Sequence, residues 1–139
     1  MYQKDYILRM IEMLGDLLAA IFGLIRKGDF KKASENLDRI YYDMLKEDAS
    51  FFRSIPADEL TARLLEEHNY TNGHLEILAE LFNAEAELEL AQGNKQGSLE
   101  YSEKSLLLFE FIDIQGKTYS VEMQDKLSAI RDRIRKLKD

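Results

Sequence analysis

An all-α fold of about six antiparallel helices is predicted by three observations on the 139-residue chain. Apolar residues recur at three- and four-residue spacing through most segments, the period of a helix with a buried face. Two short pairs, Gly28-Asp29 and Gly93-Asn94, interrupt that pattern where one helix must end and another begin. Glycine takes the left-handed conformation that closes a helix, and Asp or Asn caps the next one, so each pair reads as the turn of a helical hairpin. The chain also holds only one proline, the residue most damaging inside a helix.

The first helix is expected over residues 3–27. Ile7, Leu8, Ile11, Leu14, Leu17, Leu18, Ile21, Phe22, Leu24 and Ile25 cover more than one stripe, which predicts burial on several sides beyond Leu14. The second helix, 30–46, places Phe30, Ala33, Leu37, Ile40 and Met44 on one face, completing a hairpin over 3–46. Residues 47–55 break the period, with Phe51-Phe52 as an apolar anchor in a polar connection. Pro56 suits the first position of a short third helix reaching about residue 67, with Asp58 and Glu59 at its positive end and Leu60, Leu64 and Leu65 as its buried edge. Linker and short helix together span 47–68.

A polar stretch from His68 to Gly73 then interrupts the chain, and a fourth helix is expected over 73–92, with Leu75, Leu78, Phe82, Ala86 and Leu90 on its core side. The fifth, 95–112, carries Leu99, Leu106, Phe109 and Ile112 beside small residues, Gly97, Ser98, Ser102 and Ser105, that permit close approach. These two make a hairpin over 73–112. Thr118 or Ser120 can cap a final amphipathic helix over 118–137, marked by Val121, Leu127, Ile130, Ile134 and Leu137.

The composition narrows the function classes. Apolar residues at 45% and charged residues at 32% fit one folded domain with a real core. A net charge of -7 argues against nucleic acid as a partner, because a phosphate backbone needs a dominant basic face. With no cysteine there is no disulfide, thiolate metal site or thiol nucleophile. The opening residues lack the pattern of a signal peptide, and the apolar run from Leu17 to Ile25 falls short of the ~20 residues a membrane helix needs. A cytoplasmic protein without membrane contact is expected.

Superposing Gly28 on Gly93 aligns two helix-turn-helix units, and both resemble tetratricopeptide repeats. In the first, Leu17, Ala20, Ile21, Leu24, Gly28, Phe30, Ala33, Leu37 and Ile40 fall where that motif has its packing residues. In the second, Phe82, Ala86, Gly93, Ser98, Tyr101 and Ser105 fit, whereas Glu85 and Glu89 stand where the motif buries apolar or aromatic groups. The two glycines are 65 residues apart, close to two repeat lengths of ~34 residues, so the Pro56 segment stands where a degenerate middle repeat would be. The opening DYILRMIE is similar to the start of a family of small uncharacterised bacterial proteins with such repeats, for which no activity is established. The resemblance implies a right-handed superhelix of hairpins with a C-terminal capping helix. It also implies an inner groove lined by Leu18, Ala19, Phe22, Ile25 and Arg26 in the first unit, and by Glu80, Asn83, Ala84, Glu87 and Leu90 in the second.

The residues that could carry chemistry are few. His68 and His74, near Glu66, Glu67 and Glu76, form the one imidazole–carboxylate cluster, but their spacing matches no helical metal motif and reads as a polar turn. Glutamates on the fourth and fifth helices are expected to form a solvated face, and none has an evident apolar pocket. The last helix is opposite in sign, with six basic and two acidic residues from Lys126 to Asp139, and is expected to lie against the acidic hairpin as a cap.

Three functions follow, in order of preference. The first is a non-enzymatic interaction or scaffold module that binds a partner protein segment in its groove, with Glu80, Asn83 and Glu87 as polar contacts and Phe22 as apolar anchor. The second is a homodimer formed through the apolar first helix. On that reading the open apolar face of Leu18, Phe22 and Ile25 is covered by another copy, whereas the alternative is that the same chain covers it. The third, with least support, is a metal protein or enzyme using His68 and His74. No cofactor, catalytic residue or metal ligand is assigned.

Overall fold

The computed structural model describes residues 2–116 and 120–139. Among them are seven α-helices: α1 (Tyr2–Lys27), α2 (Phe30–Leu45), α3 (Ala49–Arg53), α4 (Leu60–Ala62), α5 (Asn72–Ala91), α6 (Lys95–Gln115) and α7 (Val121–Lys138). The count exceeds the expected six because the 47–68 segment is divided rather than forming one short helix. Its Phe51-Phe52 anchor lies inside α3, and a 3-10 turn (Ala57–Glu59) and a π turn (Arg63–Glu67) flank the single turn of α4. Pro56 is extended and stands just before the 3-10 turn, not within a helix. What holds this irregular stretch is burial, since Phe52, Ile55, Leu60 and Leu64 are fully enclosed. The Tyr70 hydroxyl donates to Leu45 O at 2.6 Å and ties the end of the segment back to α2.

The two long hairpins turn in the same way. Gly28 N–H donates to Ile25 O and Asp29 N–H to Leu24 O; Gly93 N–H donates to Leu90 O and Asn94 N–H to Glu89 O. Gly28 and Gly93 have φ of 81° and 85°, a left-handed region that glycine enters without a Cβ penalty. Asp29 then accepts from Lys32 N–H and Asn94 from Gly97 N–H, so each side chain satisfies a backbone donor that the new helix leaves open.

Packing is organised around α5, which touches α1, α2 and α6. Its buried residues, including Leu75, Ile77, Leu78, Leu81, Phe82, Glu85 and Leu88, cover more than half of its circumference and leave one polar side. Gly73 marks the approach to α1, because a Cβ there would collide with Ile7 Cγ2. Ser98, Ser102 and Ser105 of α6 are all fully buried, and the Ser105 hydroxyl donates to Ala79 O at 2.8 Å, so small side chains bring α5 and α6 close together.

By contrast, α1 buries one line, Ile7, Met10, Leu14, Leu18 and Ile21, and leaves Leu17, Ala19 and Ala20 exposed. The expected all-round burial beyond Leu14 does not occur. Further on, α7 packs on α6 and buries Leu127 and Ile130. Ser120 caps it by accepting from Met123 N–H, while Thr118, the alternative cap, lies outside the described residues. No helix among the described residues is long and apolar enough to cross a membrane.

Candidate functional site

Glu80, Asn83 and Glu87 lie along one side of α5, at helical spacings of three and four residues, and the structure brings all three against α7. Lys126 pairs with Glu80, and Arg133 donates to Asn83 Oδ1 at 2.5 Å and to Ser102 Oγ at 2.9 Å, with Glu87 3.7 Å away. Farther out, Arg131 meets Glu110 at 2.8 Å and Lys138 lies 4.0 Å from Glu103. Lys126 also sits over the Phe109 ring. Burial lowers the Arg133 pKa, and the charge of Glu87 opposes that shift. Glu76, one turn before Glu80, is raised by burial, with Lys126 pulling it back and Glu80 adding to the rise. This polar side of α5 therefore carries a basic amphipathic helix of its own chain.

The first-hairpin residues are placed differently. Leu18 is buried, Phe22 and Ile25 are partly buried against the core, and Arg26 is exposed. Of the two alternatives for this face, the chain itself covers Leu18 fully and Phe22 and Ile25 in part. Three apolar residues that α1 exposes lie beside that face, Tyr6 at 54%, Met13 at 58% and Leu17 at 40%, while Leu8 is exposed elsewhere on the helix. Those three border a groove of about 360 Å³ between α1 and α2, whose other walls include Arg9, Met10, Ile40, Asp43 and Met44.

Sequence reasoning missed the buried ionic centre. Glu85 of α5 is 4% exposed, correcting the expectation that the glutamates form a solvated face without an apolar pocket. Arg53 Nε of α3 donates to Glu85 Oε2 at 2.5 Å, and the Tyr41 hydroxyl of α2 donates to the same oxygen at 3.2 Å. Arg53 Nη2 also reaches Asp38 at 2.7 Å, and the guanidinium lies over the Tyr41 ring. From α6, Lys104 Nζ donates to Arg53 O at 3.0 Å.

Burial raises the Glu85 carboxyl above its ordinary value, while Arg53 and Tyr41 pull it down. Burial and the neighbouring carboxylate raise Tyr41 well above the usual tyrosine range. Burial opposes the charge on Arg53, but its contacts with Glu85 hold its pKa above the ordinary value. Arg53 and Tyr41 both engage Glu85, and Lys104 holds the Arg53 backbone, so the arrangement clamps α2, α3, α5 and α6 together. The available signal was Glu85 at a core position of the repeat pattern, where a carboxylate needs a cationic partner.

The two histidines are parts of packing and capping. His68 meets the edge of Phe51 with centroids 4.9 Å apart, and His74 stacks on Tyr70 at 4.7 Å. Thr71 N–H donates to His74 Nδ1 at 3.0 Å while the Thr71 hydroxyl accepts from His74 N–H, a reciprocal cap for α5. Burial lowers the His74 pKa from 6.5, favouring the neutral ring that this cap requires. A cavity of about 650 Å³ lies beside it, floored by Ile7, Leu8 and Ile11. Among the described residues no group of three or more His, Cys, Asp or Glu side chains is arranged to hold a metal ion. No protein-family model matches the chain, and neither the curated proteins nor the solved structures contain a match.

Proposed function

We propose that the protein is a non-enzymatic interaction module, a right-handed tetratricopeptide-like stack of helical hairpins that accepts a basic amphipathic helix along the acidic side of α5 and α6. Two features support the stack: the shared turn geometry at Gly28 and Gly93, and the position of α5 against both helices of the first hairpin as well as its own partner. The observation that carries the partner class is α7 itself. Its cations meet Glu80, Asn83, Glu87, Glu103 and Glu110 while Leu127 and Ile130 are buried beneath them. Exposed ion pairs contribute little singly, about 0–1 kcal/mol, so recognition combines a charge pattern with a narrow apolar seam.

The test is binding in trans. Lys126→Ala/Arg133→Ala should loosen α7 without touching the α5 core, and a fluorescent peptide spanning 120–139 should then bind the full-length variant. Adding Glu80→Gln and Glu87→Gln should weaken that binding about tenfold. A loosened chain that keeps its helical circular dichroism yet ignores the peptide would sink the proposal. A second reading, self-association, is favoured by a separate observation, the exposed apolar line of Tyr6, Met13 and Leu17 on α1.

A further inference from the structure

α1 carries two heptad seams, and the fold uses the whole of one and only Met10 of the other. Ile7, Ile11, Leu14, Leu18, Ile21 and Ile25 alternate at four- and three-residue steps and face the core, with Ile11 and Ile25 partly covered at its edge. One residue round the helix, Tyr6, Met10, Met13 and Leu17 repeat the same steps of four, three and four. Such spacing is what knobs-into-holes packing against another helix requires. Of this second seam only Met10 is buried, and Tyr6, Met13 and Leu17 border the open groove between α1 and α2. The seam extends about 16 Å along the helix at 1.5 Å per residue.

The flank of this seam tells which helix fits. Arg9 and Asp16 stand seven positions apart on the same edge, both exposed, and neither is in an ion pair among the described residues. A partner helix running the opposite way with the same edge places its Asp16 at Arg9 and its Arg9 at Asp16. Two opposite charges so placed are self-complementary only under a two-fold axis, the symmetry of most homodimers. Asp5 and Glu12 also stand exposed beside this edge and Asp43 lines the groove, so the reciprocal Arg9–Asp16 contacts are what offset the like charge that two copies bring together.

We infer that two copies of this chain dimerise through antiparallel pairing of their α1 helices, with Tyr6, Met10, Met13 and Leu17 as the seam and reciprocal Arg9–Asp16 pairs at its edge. This dimer rests on the self-association reading and replaces Leu18, Phe22 and Ile25 as its surface. Adaptable methionines fill the groove floor. The face of α5 and α6 that α7 covers takes no part in this seam.

Sedimentation equilibrium of the full chain should give a dimer, and Met13→Glu, at an exposed position, should give a monomer with unchanged helical circular dichroism. Arg9→Asp and Asp16→Arg should each weaken association about tenfold through like-charge contacts. Mixed together, the two variants should recover the wild-type affinity as a heterodimer, because both edges are then matched. A wild-type monomer at high micromolar concentration would overturn the inference, as would a Met13→Glu dimer or a mixture that fails to recover. Peptide binding at α5 and α6 reads out separately, so failure of the dimer leaves the interaction-module proposal standing and failure of peptide binding leaves the dimer standing.

Discussion

The first hairpin closes through Gly28 and Asp29 with the same two backbone hydrogen bonds that close the second through Gly93 and Asn94, yet the helices on either side of those turns are buried very differently. α5 is enclosed by α1, α2 and α6, so even its Glu85 lies in the core. α1 has neighbours on one side and exposes Met13 and Leu17 on the other. A turn is therefore a local property, fixed by a glycine and a capping side chain, whereas burial depends on what stacks next. The second hairpin has a helical layer on both sides, and the first has one on only one side.

The largest break in this contrast should come from the core of α5. Phe82 is fully buried and packs against Tyr41 and Tyr101. Phe82→Ala should cost about 3–5 kcal/mol of unfolding free energy, by lost transfer energy and the cavity left behind. Leu17→Ala, equally apolar but on the exposed side of α1, should change monomer stability by only about 0.5 kcal/mol. Urea titration of the two variants compares them directly, and equal losses would show that the two hairpins are not differently enclosed.

The buried pair comes next. Glu85→Ala leaves the Tyr41 hydroxyl and Arg53 without their carboxylate, a loss of about 3 kcal/mol, at the low end for buried pairs because Arg53 is partly exposed. Replacing both partners, Glu85→Leu with Arg53→Met, should cost much less than the single change, since no charge is stranded. A double-mutant cycle in urea measures the coupling, and additive losses would remove Glu85 and Arg53 from the role of clamp.

Where the fold was legible in the sequence, the information was local. Gly28-Asp29 and Gly93-Asn94 announced the turns, and Ser98, Ser102 and Ser105 announced a close helix approach, because each rests on backbone conformation or side-chain size. The ionic centre was not legible. Arg53 and Glu85 are separated by 32 residues, and only the docking of α3 on α5 brings them together. Nor did the pattern choose between the seams of α1. Leu18, Phe22 and Ile25 are as apolar as Tyr6, Met13 and Leu17, and which set faces the core depends on where α2 and α5 lie. The opposite charge of the last helix did point to its place against the acidic hairpin, but which of its cations meets Glu80, Asn83 or Glu87 depends on how α7 docks after the linker that separates it from α6.

The turns themselves allow a smaller test of the likeness between hairpins. An ideal Cβ at Gly28 or Gly93 meets nothing within 4 Å, so alanine there carries only the backbone penalty of a positive φ. Gly28→Ala and Gly93→Ala should therefore lose about 1–2 kcal/mol each, by the same amount despite their different surroundings. Asparagine, which tolerates the left-handed region, should lose less at both. Thermal unfolding separates the cases, and unequal penalties would mean that the turns, too, depend on their neighbours.

The smallest effect distinguishes how the two hairpins begin. α5 starts with a pH-sensitive cap, because Thr71 N–H donates to His74 Nδ1 and a protonated ring cannot accept it. Burial holds the His74 pKa in the folded chain below its ordinary 6.5. As pH falls below that value the unfolded chain takes up the proton first, so stability present above it is lost progressively until the folded ring protonates as well. The loss should not exceed the ~1 kcal/mol of one cap. His74→Gln keeps an acceptor at the same position without a titrating ring, and should remove this part of the pH dependence while leaving the neutral-pH stability nearly unchanged. Unfolding midpoints of the two proteins measured from pH 7.5 to pH 5 should diverge only toward the acid end. Parallel curves would show that the cap does not depend on the charge of His74.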